Sequence, residues 1–353
     1  MTQKVSLGFM DMEASGEPTV SVIIPVRNEH RCVGALLKAL VDQDCPSIVE
    51  VLVVDGLSDD GTREIIAEQC KMDSRFRLID NPRRVVTHAL NIGLAHATGD
   101  VIIRMDAHAE YAPDYLSKCL EVLAETGAGN VGGPAIPGSD GSLIGDVILA
   151  VHESPFGIGA AKFRQAGAEG WVDTVWPGAY RREALEAAGM HYVEELTRSE
   201  DIELNSRLRK AGWGIYLSPK IEAKYYPRKS IGALCRQNYG NGAAVIHTLK
   251  AGLGGVSVRH LIPFAFVLSL LLSAGTASVS PWGYRALATI LAVYALGDLV
   301  FSVRAATKHG LRVLALLPLT FLLLHLSYGL GSLCAVFYRA PRRAQSQQAG
   351  EPS

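Results

Sequence analysis

Three short acidic patterns carry the chemistry available to this chain. Asp55 opens the run Asp-Gly-Leu-Ser-Asp-Asp-Gly-Thr over residues 55–62. It follows a buried apolar segment, where an unpaired carboxylate is costly. There it can accept hydrogen bonds from the N–H groups of a nucleobase, with Ser58, Asp60 and Thr62 shaping the turn and capping the next helix. A plain strand–turn–helix junction would use the same residues. Asp106-Ala107-His108 follows a second apolar run. In extended geometry residues i and i+2 point the same way, so an Asp oxygen and an imidazole can together grip a divalent cation on a nucleotide's phosphates. The imidazole suits Mn²⁺ better than Mg²⁺. The plainer alternative is Asp106 as a helix cap and His108 on the surface. Glu200-Asp201 lies at the start of a helical pattern marked by Ile202, Leu204 and Leu208. A helix N-terminus favours carboxylates, and one aimed into a cleft can take a hydroxyl proton. An acidic helix start without catalytic meaning is the alternative.

These residues need a frame that presents them at one rim. Residues 19–26, 49–55, 76–80 and 101–106 are apolar, strand-like runs without alternation, separated by helical patterns at 32–41, 62–69 and 85–97. Such a series predicts a mostly parallel sheet covered on both faces. Ligands bind beyond the carboxyl ends of such strands, where Arg27, Asn28, Glu29, Asp55, Asp106 and His108 all fall.

The 353 residues carry 34 Lys plus Arg against 35 Asp plus Glu, a net charge of −1. The balance is uneven: residues 1–230 hold 24 basic and 33 acidic side chains, residues 231–353 hold 10 basic and two acidic, Asp298 and Glu351. The acidic larger part excludes a nucleic-acid-binding role for the whole chain. Three apolar stretches follow at 261–278, 284–303 and 311–337, and a spanning helix needs about 20 residues. Three membrane helices are expected, with core helices of a soluble domain as the alternative. Arg259, Arg304, Lys308 and Arg312 favour the cytoplasmic side for their loops. Arg339, Arg342 and Arg343 would then lie outside, unless 311–337 is a re-entrant pair kinked near Pro318 or Gly329. Residues 230–258 contain Arg236 and Lys250 but no acid, as expected of a segment along an anionic leaflet or of an ordinary connecting helix. The six cysteines form no C-x-x-C pair, so free thiols are expected. Residues 1–18 read as a flexible tail without signal-peptide character, and 339–353 as a basic, then polar tail. Trp171, Trp176 and Trp213 are expected to be packed inside, stacking on a sugar being the alternative.

The motifs are more specific together than apart. In order they are Pro25-x-x-Asn28-Glu29, the 55–62 run, Ala89-Leu90-Asn91-x-Gly93, Thr98-Gly99-Asp100, Asp106-x-His108, Gly178-Ala179-Tyr180-Arg181-Arg182-Glu183 and Glu200-Asp201-x-Glu203-Leu204-x-x-Arg207-Leu208. Over about residues 20–228 the chain resembles the family 2 inverting glycosyltransferases of the GT-A fold. The Asp-Ala-His-Ala form at 106–109 and the C-terminal apolar stretches are similar to the succinoglycan-type exopolysaccharide glucosyltransferases. The resemblance implies an α/β, Rossmann-like GT-A domain over 19–229, a linker over 230–258 and a helical membrane region over 259–338. It implies transfer of a sugar, glucose in that subgroup, from a UDP-sugar to a polyprenyl-diphosphate-linked saccharide, at the inner membrane with the catalytic domain cytoplasmic. By the same resemblance Pro25, Arg27, Glu29, Asp55, Ser58 and Asp106 bind the nucleotide sugar. Asp106, with His108 in place of the usual second Asp, holds Mn²⁺ or Mg²⁺. Asp201 is the base with Glu200 beside it, and Gly178, Ala179, Tyr180 and Arg181 border the acceptor. The Q-x-x-R-W signature of processive synthases is missing at Arg236-Gln237-Asn238-Tyr239, which favours one addition per encounter. A polyprenyl-phosphate sugar synthase, with Arg181, Arg182 or Arg228 on the lipid phosphate, is the alternative enzyme. A nucleotide-sensing scaffold is the alternative without catalysis.

Overall fold

The computed structural model describes residues 17–158, 161–165, 167–196, 198–227 and 230–338. The expected C-terminal tail, nearly all of the expected N-terminal tail, and Arg228 lie outside the described residues.

The first half of the chain folds as its unalternating strands dictate. β1 (Val20–Val26), α1 (Val33–Val41), β2 (Ile48–Asp55), α2 (Thr62–Met72), β3 (Phe76–Asp80), α3 (Val86–His96) and β4 (Val101–Arg104) follow one another, and the four strands pair in parallel in the order β3-β2-β1-β4. Strand side chains alternate between faces, and β1 feeds both. Val22 and Ile24 join Leu36, Leu37 and Ile66 of α1 and α2, whereas Ile23 joins Leu90 and Leu94 of α3. Gly93 lets α3 approach: a Cβ there would come within 2.4 Å of Ile23.

The second half departs from an all-parallel sheet. β5 (Ala109–Tyr111), α4 (Tyr115–Thr126), β6 (Asn130–Gly132), β7 (Ala135–Pro137), α5 (Leu143–Glu153), β8 (Gly170–Trp171), β9 (Ala179–Arg181), α6 (Arg182–Ala187), α7 (Glu200–Lys210), β10 (Ile215–Leu217) and β11 (Ala223–Tyr225) complete the domain. β9 enters antiparallel between β4 and β6, giving an eight-stranded sheet β3-β2-β1-β4-β9-β6-β10-β8. A small sheet β5-β11-β7 stands beside it.

Helices then take over: α8 (Ile231–Lys250), α9 (Ile262–Ala277), α10 (Pro281–His309) and α11 (Leu317–Phe337). Three helical segments, 258–277, 281–309 and 317–337, are long and apolar enough to cross a membrane. Leu271, Leu272, Leu291, Val293, Leu296 and Leu299 are exposed on α9 and α10, an apolar surface of the kind that faces lipid. The re-entrant pair left open for the third stretch does not form: α11 is one helix over Leu317–Phe337. Pro318 sits in the first turn of α11, where no amide bond is lost, and the helix runs unbroken through Gly329. Residues 230–258 are built around a connecting helix: α8 lies between the α/β domain, where Arg198 Nη1 donates to Asn241 Oδ1 at 3.2 Å, and α11. Glycines allow the α8–α11 approach. A Cβ at Gly242 would stand 2.0 Å from the Tyr328 carbonyl oxygen, and one at Gly331 2.0 Å from that of Tyr239. Lys250 Nζ closes the end of α11 by donating to the Ala335 and Val336 carbonyls, 2.7 Å each. The α/β domain grips this bundle through Val147, Ile148 and Val151 of α5, which share a core with Leu234, Leu317, Phe321 and Leu324. Phe156, just beyond α5, packs among Tyr294, Phe301, Phe321 and His325. All six cysteines are free thiols.

Candidate active site

The rim beyond β1 and β2 is built from two loops zipped together. Asn28 N–H donates to Ser58 Oγ (2.8 Å), Asn28 and Asp59 exchange two further bonds (3.0 and 3.1 Å), Glu29 N–H donates to Thr62 Oγ1 (2.9 Å) and His30 N–H to Asp60 Oδ2 (3.1 Å). Asn28 and Leu57 adopt left-handed φ values of 56° and 53°, strain that a densely bonded loop sustains. Asp55 is fully buried at the end of β2. It accepts from Ser58 N–H at 3.0 Å, Ser58 Oγ at 2.5 Å and Arg63 Nη1 at 2.7 Å. Ser58 therefore serves Asp55 and Asn28 rather than capping α2. Asp60 takes the capping task, accepting from Thr62 N–H and Oγ1. Pro25 lies in β1, half-buried, and Arg27 is exposed beyond it, its stem over Gly56.

The chemical centre is a single arginine facing three carboxylates. Arg104, the last residue of β4, donates from Nε and Nη2 to Asp106 (3.0 and 3.2 Å) and from Nη1 to Glu200 (3.2 Å) and Asp201 (2.9 Å). Its side chain is 7% exposed, where a charge persists only if paired. Burial would lower its pKa, but Asp106, Asp201 and Glu200 outweigh that and hold it higher than usual. Ser199, at φ 63°, turns the chain so that α7 starts with Glu200 and Asp201 pointing at Arg104. Burial pushes the Asp201 carboxyl up to about 7; Arg104 opposes this, while Glu200 and Asp106 add to it. A carboxyl so placed accepts a proton near neutral pH.

Three carboxylates against one guanidinium leave the cluster at −2, the charge a divalent cation offsets. Among the described residues no three His, Cys, Asp or Glu side chains converge at ligand spacing. Small divalent ions are commonly held by one or two side chains plus phosphate oxygens and water, so the residues fit such an ion in its substrate-bound form. The geometry of 106–109 differs from the extended one expected. β4 ends at Arg104, and Ala109 N–H donates to the Asp106 carbonyl at 3.2 Å, closing a turn, so the alternation of an extended strand does not align Asp106 with His108. Asp106 is buried and its N–H donates to Tyr111 Oη at 2.7 Å. His108 is half-exposed, with Nδ1 3.9 Å from Glu29 Oε1.

Asp106, Glu200 and Asp201 are thus brought together, and Asp55 sits two strands away on the same rim, about 10 Å by strand spacing. The expected acceptor border is placed differently. Ala179 and Tyr180 are buried in β9 and packed into the two cores. Arg181 donates to the Ala128 and Leu123 carbonyls and Arg182 to those of Gly99 and Ala97. Only Gly178 meets the site: its carbonyl accepts from Arg104 N–H at 3.1 Å. Trp171 is 57% exposed rather than packed inside, and Trp176 and Trp213 are half-buried.

Sequence reasoning missed Arg104, although its signal was present. An arginine inside the apolar run Val-Ile-Ile-Arg-Met-Asp must find buried acids. Arg63 was missed for want of any local cue.

Comparison with known proteins identifies the family of the chain. Residues 21–189 match the family described as Glycosyl transferase family 2. The succinoglycan biosynthesis protein ExoA of Rhizobium meliloti (strain 1021) is 33% identical over 246 residues, 69% of this chain and 74% of the relative. The dolichyl N-acetyl-alpha-D-glucosaminyl phosphate 3-beta-D-2,3-diacetamido-2,3-dideoxy-beta-D-glucuronosyltransferase of Methanococcus voltae is 27% identical over 320 residues, 88% of this chain and 95% of the relative. Among solved structures, the mannosyltransferase PcManGT from Pyrobaculum calidifontis, in complex with GDP-Man and Mn²⁺, superposes with a TM-score of 0.57 at 20% identity, covering 90% of this chain and 88% of that one. That likeness is one of fold. By the family match over residues 21–189 and its 33% identity to ExoA over most of both chains, the chain belongs to glycosyl transferase family 2.

Proposed function

We propose that the protein is a membrane-anchored inverting transferase that moves a sugar, glucose, from a UDP-sugar to a polyprenyl-diphosphate-linked saccharide in exopolysaccharide assembly. The observation that carries this reading is the joining of Asp106 to Asp201 and Glu200 through Arg104. Asp201 takes the proton of the acceptor hydroxyl, which then attacks from the face opposite the leaving diphosphate. Glu200 keeps a second negative charge beside Asp201 and so raises its basicity. Asp55 accepts from the nucleobase, with Arg63 and Ser58 fixing its carboxylate, and Pro25, Arg27 and Glu29 flank the nucleotide. A divalent cation, Mn²⁺ or Mg²⁺, would be held by Asp106 and His108 and would supply positive charge for the diphosphate as the glycosidic bond breaks. The names of the Rhizobium and Methanococcus relatives support a polysaccharide product and a lipid-linked saccharide acceptor. The catalytic domain faces the cytoplasm and the apolar helices hold it at the inner membrane.

The test is to incubate membranes containing the protein with a panel of radiolabelled nucleotide sugars, with Mn²⁺ or with EDTA, and to analyse the lipid extract. Labelled lipid-linked saccharide from a UDP-sugar, abolished by Asp201→Asn, is the expected result. A sugar–phosphate–lipid product would establish the synthase alternative. Full transfer by Asp201→Asn would remove the assigned base.

A further inference from the structure

Arg164 is the arginine near this cleft that the mechanism leaves unused. It follows Phe163 at the end of a short 3-10 turn, Lys162–Arg164. Among the described residues its side chain makes no hydrogen bond and no ion pair; its guanidinium carbon lies 5.0 Å from the ring of the adjacent Phe163. Burial pulls its pKa down, with only the Tyr225 phenol opposing, yet an arginine remains charged in proteins. A half-buried cation without an anion is costly, whereas Arg63, Arg104, Arg181 and Arg182 each have carboxylates or carbonyls.

The turn that carries it packs against β7, whose Pro137 pairs with Tyr225 of β11, so its surroundings are aromatic. The Tyr225 ring lies 5.4 Å from Trp176, 6.1 Å from His108 and 6.1 Å from His152. His152 Nδ1 is 2.8 Å from the Ile148 carbonyl, and burial, with a further contribution from Arg164, lowers its pKa to about 4, so it carries no competing charge. Through His108 this recess adjoins the diphosphate end of the active site, and through Trp176 it adjoins Gly178 and Arg104. It is also tied to the membrane helices. Arg164 stands eight residues after Phe156, whose ring is stacked on Phe301 at 5.1 Å and whose carbonyl is 2.8 Å from His325 Nε2. β11, which carries Tyr225, leads within a few residues into α8.

A phosphate on a lipid sits at the boundary between hydrocarbon and water. A lone guanidinium beside aromatic walls, on a segment that starts from the apolar helices, matches both a phosphate and the sugar attached to it. We propose that Arg164, with Trp176 and Tyr225, forms the subsite for the phosphate group of the lipid-linked acceptor. The donor's phosphates are assigned to Asp106 and His108, and the acceptor identity rests on the function proposed above.

The experiment measures binding alone, so it does not depend on transfer. Full-length protein in detergent micelles is titrated with geranylgeranyl diphosphate, with geranylgeraniol, and with UDP in the presence of MnCl₂. The wild type is expected to prefer the diphosphate lipid to the alcohol. Arg164→Gln should weaken the diphosphate lipid by about tenfold or more, the worth of a charge-assisted hydrogen bond, and leave the alcohol and UDP unchanged. Arg164→Lys should fall between the two. Removing an unpaired cation should not lower the melting temperature, whereas loss of a structural contact would. Lys71→Gln, which removes an exposed lysine far from the cleft, controls for charge in general. A diphosphate preference that survives Arg164→Gln overturns the proposal, and so does a parallel loss of UDP affinity, which would give the phosphate to the donor. If the lipid probes behave as expected but no sugar reaches a lipid-linked saccharide, the subsite stands and the acceptor reading falls.

Discussion

Arg104→Gln is the perturbation that most directly tests whether one guanidinium organises the chemistry. In the wild type Arg104 Nη1 reaches Asp201 at 2.9 Å and Glu200 at 3.2 Å, while Nε and Nη2 hold Asp106. The Asp201 carboxyl lies at about 7 because burial outweighs the arginine. A base works only when ionised, so activity falls as the pH drops through that value. Arg104 favours the ionised form, and its removal moves the acid limb of the rate profile to higher pH. A hydrogen bond to a charged group contributes about 1.5–3 kcal/mol, and about 1.36 kcal/mol corresponds to one pH unit, so the limb should move up by about one to two units. The assay is kcat/KM for sugar transfer from acid to alkaline pH. Removing one partner of a buried cluster costs about 3–5 kcal/mol, so Arg104→Gln has to be checked for folding by circular dichroism. Arg104→Lys keeps the charge but not the fork, and its limb should fall between the two. An acid limb that stays in place in a folded, active Arg104→Gln or Arg104→Lys protein refutes the reasoning.

Two further outcomes follow from burial and from close packing. Because Asp201 has a folded pKa of about 7 against 3.8 for a free carboxyl, its protonated form is favoured on folding. Its contribution to stability is present below about pH 4 and is lost as the pH rises to about 7. Asp201→Asn should therefore flatten the fall in melting temperature over that range, even though it abolishes transfer; an unchanged slope would show that another group sets it. Gly331→Ala places a Cβ 2.0 Å from the Tyr239 carbonyl oxygen, whereas Gly275 on α9 has nothing within 4 Å. Overpacking costs about 1–3 kcal/mol, and Gly→Ala in an open helix gains about 1 kcal/mol. Gly331→Ala should melt lower in detergent and Gly275→Ala higher. Equal melting points would mean that α8 and α11 do not meet as closely as described.

Much of the frame was legible because it depends on local pattern. The four parallel strands are uninterrupted apolar runs, and their carboxyl ends could be named in advance. The long C-terminal helices were legible because apolar length admits few alternatives. What stayed hidden depends on long-range pairing. Asn91, part of a recognised motif, turns out to bond the Tyr192 backbone twice, at 2.9 and 2.7 Å, which fixes the approach to α7 rather than touching the rim. Tyr180 and Arg181 lie in a motif too, but β9 is threaded antiparallel between β4 and β6, a topology that no local signal announces. The extended geometry expected of Asp106 and His108 failed because β4 stops two residues earlier than its apolar run suggests.

The two ends of the cleft come from different parts of the fold. The proposed donor end comprises the loops after β1 and β2 and the end of β4, where bonds such as Asn28 to Asp59 and Glu29 to Thr62 make a frame separate from the apolar helices. The other end is lined by Trp176, Tyr225 and Arg164, and two of these lie on segments continuous with the bundle: β11 runs on into α8, and the segment bearing Arg164 starts from Phe156, seated between α10 and α11. Arg104 lies where the two ends meet, holding the donor-side Asp106 and the base of α7 in one grip. A shift of the bundle against the catalytic domain would move Tyr225 and Arg164 but leave Asp55 and its partners in place. Under the proposed assignment, acceptor position is thereby coupled to seating on the bundle, and donor recognition is not. Replacing Phe156 with Ala, which empties its place among Tyr294, Phe301, Phe321 and His325, should accordingly raise the KM for the lipid acceptor while leaving the KM for the nucleotide sugar unchanged; equal changes in both would mean that the two ends do not move separately.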